Sequence, residues 1–525
     1  MSVNNNLIDA KKEMIVVLDF GGQYSMLIAR RIREAKVYCE ILPYNTPWAK
    51  ILEKKPSGII LSGGPGSVYL KDAPFCEESI FDGNIPVLGI CYGMQLMSSK
   101  CDGTVKQGER YEYGKTSFKI ARREPLFKDP YFDGHNDFSG WMSHQDQVVA
   151  VPKGFTVMAK TENGMIAAMG DERRRLFGLQ FHPEVSHTPG GMSIIKSFLY
   201  DICGCRPLWT PGNFVSLAVE RIAEETGADE KVLCALSGGI DSSVVAFLLN
   251  EAVGERFASI FVDHGLLRKG EAEKIKKIFK ERLKGEFVAV DASERFFQAL
   301  KGVDEPEEKR KIIGGEFIKV FKEEAAKLGQ FDYLAQGTIY PDVIESGSDP
   351  AAATIKSHHN VGGLPKELGF KLMEPLRDLF KDEVRRVAVE MGMPEVITSR
   401  QPFPGPGLAV RIIGEVTPEK VRLLQEADAI LREEIAGGGY GKEVWQYFAV
   451  LTGISAVGVK CEKRVYGPVV ALRAVSSIDG MTADWSRLPW DFLDHVSQRI
   501  TDEVPELARV VYDITPKPPG TIEWE

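Results

Sequence analysis

Short apolar runs punctuate the chain, and most of them end in glycine. "MIVVLDF" (14–20) runs into Gly21-Gly22, "GIILS" (58–62) into Gly63-Gly64, and "IPVLGI" (85–90) into "CYG". Between the first two, "SMLIARRIREA" carries its apolar residues at helical spacing. A short, wholly apolar run suits a strand buried on both faces. Such strands alternating with helices predict a parallel sheet covered on both sides. "LFGLQFH" (176–182) predicts a further strand, and "GGMSIIKSFLYDIC" a closing helix.

The Gly/Pro-rich "GCRPLWTPGNF" (204–214) interrupts this rhythm, and a second one starts after it. "KVLCALS", "FASIFVDHG", "EFVAVDAS" and "DYLAQGT" read as strands, with helices at "SVVAFLLNEAV", "GEAEKIKKIFKERLKG" and "LFKDEVRRVAVEMG". "PFPGPGL" (402–408) is the next break. Beyond it come one long helix (418–436) and strand-like runs such as "PVVALRAV" and "RVVYDI". The expected fold class is α/β: two doubly wound, mostly parallel-sheet domains at 13–206 and 207–400, then a smaller α+β module at 401–525. At roughly 150 residues per domain, a chain of 525 residues agrees with three.

Composition narrows the function classes. The net charge of −9 argues against a nucleic-acid coat but leaves room for small anionic substrates in a local basic pocket. No apolar run approaches the ~20 residues of a membrane helix. "MSVNNNLIDAKKEM" lacks the apolar core of a signal peptide. Eight cysteines without C-x-x-C spacing point to a reducing, cytoplasmic setting with no zinc site.

One cysteine stands apart. In "GICYGMQ", Cys91 follows a strand and precedes a helix, flanked by glycines, as in a nucleophile elbow. The turn exposes the sulfur at a helix N-terminus, whose partial positive charge favours a thiolate. "FHPE" offers a base, His182, and an orienting acid, Glu184, two apart on one face of an extended segment. Backbone N–H groups at Gly64, in "LSGGPGS", and at Tyr92 are candidates for an oxyanion hole.

A second "LSGG" opens "LSGGIDSS" (236–243). Ser237, Gly238, Gly239, Ile240, Asp241, Ser242 and Ser243 form a strand–loop–helix turn that aims N–H groups and hydroxyls at an anion. It has no Walker lysine. A carboxylate facing phosphates is repulsive without a divalent cation between them, so Asp241 predicts Mg²⁺.

On "LSGGPGS", "GICYGMQ" and "FHPEVSHT" the first half resembles the class I glutamine amidotransferases. The resemblance implies glutamine hydrolysis through a cysteinyl thioester, with Gln95, Ser143, His144 and Asp146 binding glutamine. Gln145, in "MSHQDQV", stands where the family has glycine, and Gly22, in "DFGGQY", where it commonly has serine. On "LSGGIDSS" the second half resembles the ATP pyrophosphatases, which split ATP between its α and β phosphates and adenylate an oxygen. Val262 and Asp263 fall where that family holds adenosine, and Gly337, in "QGTIYPD", suits a close backbone approach.

"GTIYPDVIES", "IKSHHNVGGLP", "PFPGPGL" and "KPPGTIEWE" extend the resemblance to the ligases that combine both halves and aminate a purine nucleotide. This implies that xanthosine 5′-monophosphate (XMP) is adenylated at its 2-oxygen and that ammonia displaces AMP to give GMP. Arg310, Arg509, Lys517, Ile522 and Glu523 would form the XMP site, with the Glu523 carboxylate accepting from the purine edge. Lys356, His358 and His359 would close over the reacting phosphate. Lys381 would hold pyrophosphate, and Asp342 and Glu345 would share Mg²⁺. Gln401 stands where histidine is usual. The C-terminal module would make a homodimer. A glutamine-dependent NAD synthetase is the alternative, but its glutaminase is of another type and the Cys91 set argues against it. A regulator with dead sites is a third reading, opposed by the intact motifs.

Overall fold

The computed structural model describes residues 11–134, 137–348, 369–460, 462–477 and 482–525. The contact pattern divides them once, between Leu217 and Ala218, inside the helix Pro211–Glu225.

The first unit is built on nine strands: β1 (Met14–Asp19), β2 (Tyr38–Pro43), β3 (Gly58–Leu61), β4 (Val87–Ile90), β5 (Thr104–Ile120), β6 (Asp137–Ala150), β7 (Thr156–Thr161), β8 (Ile166–Asp171) and β9 (Leu176–Leu179). Their order is β2-β1-β3-β4-β9-β8-β7-β5-β6. From β2 to β9 every pairing is parallel; from β9 to β6 every pairing is antiparallel. The sheet is therefore mixed rather than mostly parallel. The reason lies partly in the connections: β7 to β8 and β8 to β9 are joined by short turns, which suit only antiparallel neighbours. The parallel part holds the core. Ile15 to Leu18, Ile59 to Leu61 and Val87 to Leu88 are at most 1 % exposed, as continuous apolar strands require. Helices Ser25–Glu34 and Tyr92–Lys100 follow β1 and β4.

The second unit contains a wholly parallel five-stranded sheet, ordered β12-β11-β10-β13-β14. Its strands are β10 (Val232–Leu236), β11 (Phe257–Asp263), β12 (Glu286–Asp291), β13 (Tyr333–Ala335) and β14 (Lys371–Met373). A smaller mixed sheet follows, in which β15 (Gln446–Lys460) and β16 (Lys463–Ser476) form a long hairpin. β17 (Asp484–Trp485) pairs antiparallel with β16, and β18 (Arg509–Asp513) pairs parallel with it. The helix expected at 418–436 spans Pro418–Gly437. The 23-residue helix Pro306–Leu328 has no counterpart in the sequence reading, because charge masks its narrow apolar stripe.

One hydrophobic core runs through this unit. It joins Leu233, Ile260 and Leu334 to Leu424 and Ile430 of the long helix and to Val470 and Leu472 of β16. "PFPGPGL" is not a solvated linker within it. Gly407 takes φ +64°, a Cβ there would meet Leu266 O at 2.4 Å, and Leu408 N–H donates to that same carbonyl at 2.8 Å. Leu408, Ala409, Val410 and Ile412 are fully buried just after it. Among the described residues no helix is long and apolar enough to cross a membrane.

Two candidate active sites

Cys91 caps the helix Tyr92–Lys100 with φ +53° and ψ −106°. A non-glycine residue held there costs roughly 1–3 kcal/mol, which the surrounding packing must outweigh. Both flanking glycines are set by backbone contact. A Cβ on Gly89 would meet Gly93 O at 2.5 Å, and one on Gly93 would meet Leu61 O at 2.5 Å. The elbow thus packs directly on β3.

His182 and Glu184 do not lie on an extended strand. β9 stops at Leu179; His182 makes a single bridge to Trp141, and Pro183-Glu184 form a turn. The turn brings Glu184 back, so that His182 Nδ1 and Glu184 Oε1 stand 2.7 Å apart, both residues buried. Thr188 Oγ1 donates to His182 O at 2.6 Å, and Arg31 Nε to Glu184 O at 2.7 Å, fixing this turn. Cys91 lies beside the same imidazole, and both residues border Gly63. Burial works against charge on His182, but the Glu184 carboxylate, its hydrogen bond and the neighbouring Cys91 sulfur outweigh it. The imidazole is held well above the ordinary histidine range, up to about 10. A charged histidine beside a cysteine is what a thiolate nucleophile needs.

Gly63 and Gly64 line the same spot. A Cβ on Gly63 would stand 3.2 Å from His182 Cε1, and one on Gly64 would stand 2.9 Å from Phe20 O. A Cβ on Gly22 would meet Gly63 O at 2.4 Å, so this backbone leaves no room for a side chain there. The Tyr92 N–H opens its helix and has no carbonyl behind it within that helix.

Gln95, buried, donates through Nε2 to Asp146 O at 2.8 Å, and Ser143 O lies 3.8 Å from Cys91 Sγ. Burial drives His144 down to about 4, leaving it neutral at pH 7. Gln145 lines a cavity of about 410 Å³ with His144, Gln147 and Asn163. Two participants were missed from sequence. Tyr69 donates to Asp146 Oδ1 at 2.7 Å, and nothing in its surroundings in the chain signals this. Gln180, fully buried, donates to Cys91 Sγ at 3.8 Å; its place two residues before His182 is the only cue.

In the second unit, Ser237 to Gly239 link β10 to the helix Ile240–Ala252. Gly238 takes φ +71° against Ile275. The hydroxyls serve the loop itself. Ser242 and Ser243 donate to Gly239 O at 3.1 and 2.7 Å, and Gly239 N–H donates to Ser237 Oγ at 3.3 Å. Arg400, another residue missed from sequence, donates to Gly238 O and pairs with Glu271 at 2.7 Å. Lys381 donates to Asp241 Oδ2 in a short contact, while Asp241 Oδ1 is buried with no hydrogen bond. A Cβ on Gly337 would stand 3.1 Å from Asp241 Cβ and Ser242 N, so glycine there lets its segment pack closely against the loop.

Val262 is buried at the end of β11; Asp263 accepts from Gly265 N–H at 3.1 Å and faces Lys276 at 3.4 Å. Asp342 caps its own helix, Tyr340–Ser348, by accepting from Ile339 N–H at 3.1 Å, and Glu345 lies on that helix. Lys356, His358 and His359 lie outside the described residues. Among the described residues no group of three His, Cys, Asp or Glu could hold a metal ion.

Three family models match the chain: glutamine amidotransferase class-I over residues 16–202, asparagine synthase over 216–286, and the GMP synthase C-terminal domain over 433–524. A glutamine-hydrolysing GMP synthase of Carboxydothermus hydrogenoformans is 57 % identical over 512 residues, covering 97 % of this chain and 99 % of that one. Those of Caldicellulosiruptor saccharolyticus and Clostridium tetani are 56 % and 54 % identical, each over 98 % of this chain and at least 99 % of theirs. The chain belongs to the glutamine-hydrolysing GMP synthase family.

Of the residues expected to hold XMP, Arg310 meets the C-terminal segment that carries Lys517, Ile522 and Glu523, and three buried cations that sequence did not single out meet it too. Arg411 donates to Glu523 through two nitrogens at 2.9 and 2.7 Å, and Gln446 adds a third bond at 2.8 Å. The Glu523 carboxylate therefore already accepts three hydrogen bonds. Lys309 reaches Ile412 O at 2.7 Å and Glu525 Oε2 at 2.6 Å. Arg473 donates to Thr515 O at 2.7 Å and Thr521 O at 2.9 Å. Arg310 donates to Glu525 O at 2.7 Å, Ile522 packs against the Phe448–Val450–Ala471 cluster, and Lys517 bridges to Ala483. Arg509 is exposed at the start of β18. Gln401 Oε1 accepts from Tyr447 N–H at 3.4 Å.

Proposed function

We propose that this GMP synthase works through two sites. The first releases ammonia from glutamine, and the second adenylates XMP and accepts that ammonia. The buried Cys91–His182–Glu184 set carries the first half. Cys91 attacks the side-chain carbonyl carbon of glutamine, and the oxyanion faces the Gly64 and Tyr92 N–H groups. His182 hands its proton to the departing ammonia, then takes one from the water that cleaves the thioester. Glu184 keeps the imidazole oriented throughout. Gln95, Ser143, His144 and Asp146 line the glutamine site.

At the second site the Ser237–Ser243 loop and the helix N-terminus receive the ATP phosphates, and Lys381 leaves Asp241 for pyrophosphate. Asp241, whose Oδ1 is buried without a hydrogen bond, would hold Mg²⁺, a cation that needs few protein ligands. Bound there, it would supply neutralisation of phosphate charge. Arg310, Arg509 and Lys517 clamp the XMP phosphate. Ile522 and Glu523 face its base, and Lys356, His358 and His359 are assigned to the reacting phosphate. Val262, Asp263 and Gly337 bound the adenosine. The C-terminal module makes a homodimer, supported by Ile454, Val459 and Tyr466, each over 60 % exposed on the β15–β16 hairpin. The cytoplasm suits seven described cysteines that are all free. Incubation with XMP, ATP, Mg²⁺ and glutamine should yield GMP, AMP, pyrophosphate and glutamate in equal amounts. GMP formation absent under varied conditions would overturn the reading.

A further inference from the structure

A chain of buried amides ends on the nucleophile. Asp146 O, a backbone carbonyl, can only accept, so the 2.8 Å contact from Gln95 orients the Gln95 side chain with its NH₂ towards Asp146. That NH₂ has a second hydrogen, and it points to Gln180 Oε1 at 3.4 Å. Gln180 is oriented in turn: its carbonyl faces Gln95 and its own NH₂ faces Cys91 Sγ at 3.8 Å. Gln180 and Gln95 are 0 % and 3 % exposed, so water does not compete for these groups. The Gln180 backbone is tied down by donation to Ala167 O at 2.9 Å.

Resting on the reading of Cys91 as nucleophile, we infer that Gln180 is a catalytic residue of the glutamine site: its side-chain N–H donates to the Cys91 sulfur and favours the thiolate. A thiolate accepts a hydrogen bond more strongly than a thiol does, and a buried donor preset by a neighbour needs no reorganisation when the charge forms. His182 and Gln180 then hold the sulfur from two directions, one as proton partner and one as a fixed dipole. The same chain gives Gln95 two duties. It borders the glutamine site through Asp146, and it sets which end of Gln180 meets the sulfur.

The test is the pH profile of Cys91 alkylation by iodoacetamide in the full-length protein, with Cys91→Ala marking the background. Gln180→Leu removes the donor at similar size, and Gln180→Asn keeps the amide but draws it back by one methylene. Ammonia-dependent GMP synthesis reports that each variant is folded. The expected result is an alkylation profile displaced to higher pH by about one unit, with glutamine-dependent turnover reduced about tenfold or more at pH 7. Ammonia-dependent turnover should be unchanged. A merely structural role would lower activity without moving the profile. An unmoved profile in whichever of the two variants folds overturns the inference. Glutamine-dependent turnover surviving in Cys91→Ala would instead overturn the reading of the nucleophile.

Discussion

At the first site the central side chains are shut in: Cys91, His182, Glu184 and Gln95 are at most 5 % exposed. At the second, the side chains of Asp241 and Lys381 are 25 % and 48 % exposed and hold each other. Both sites begin with a strand, two glycines and a helix N-terminus. They part in what must be ready beforehand. A covalent mechanism needs its nucleophile, base and orienting acid in place within fractions of an ångström, and burial with strain secures that. A phosphate grip needs charges that let go of one another when a stronger anion or cation arrives. The ion pair and the self-capped serines at 237–243 are such a resting arrangement.

Cys91→Ala should separate the two sites most sharply. Glutamine-dependent GMP synthesis should fall by about a thousandfold or more, while ammonia-dependent synthesis persists. Assays with both nitrogen sources decide it, and equal loss in both would break the two-site contrast. Asp241→Asn should cost about a hundredfold or more with either nitrogen source, because adenylation precedes amination. Pyrophosphate release without glutamine checks it.

Glu184→Gln sharpens the contrast through pH. His182 is raised in the folded state, so its pairing contributes fully below about pH 6.5 and is lost as pH rises through about 10. Urea midpoints of the parent should therefore fall over that interval, and those of the variant should stay flatter. His144 acts in the opposite direction. Held down to about 4, it withdraws stability as pH falls from about 6.5 through 4, and His144→Leu should remove that acid dependence. The smallest effect belongs to Lys381→Met. An ion pair this exposed is worth at most about 1 kcal/mol, so the thermal midpoint should barely move while the KM for ATP rises. A large loss of stability would show that the second site is as rigid as the first.

The glycine-terminated apolar runs and the residues of both motifs could be read directly from the chain. A buried parallel strand needs continuous apolar residues, and a nucleophile elbow needs small neighbours. These are local demands, and they leave local marks at Gly89, Cys91 and Gly93 or at Ser237 to Ser243. The antiparallel half of the first sheet left a weaker mark, since β5 and β6 are broken by register shifts and half exposed. The turn at Pro183-Glu184 left none, because two residues apart reads equally well as a strand. Tyr69, Gln180, Lys309, Arg400, Arg411 and Arg473 escaped for a different reason. Each acts on a group far along the chain: Tyr69 on Asp146, Gln180 on Cys91, Lys309 on Glu525, Arg400 on Gly238, and Arg411 and Arg473 on residues 515–523. Sequence by itself determined which chemistries to expect of this protein, because the motifs proposed as nucleophile and phosphate loop are each short and contiguous. Only the tertiary structure decided which buried donors and cations hold them, because a hydrogen bond across a core depends on where two distant segments meet.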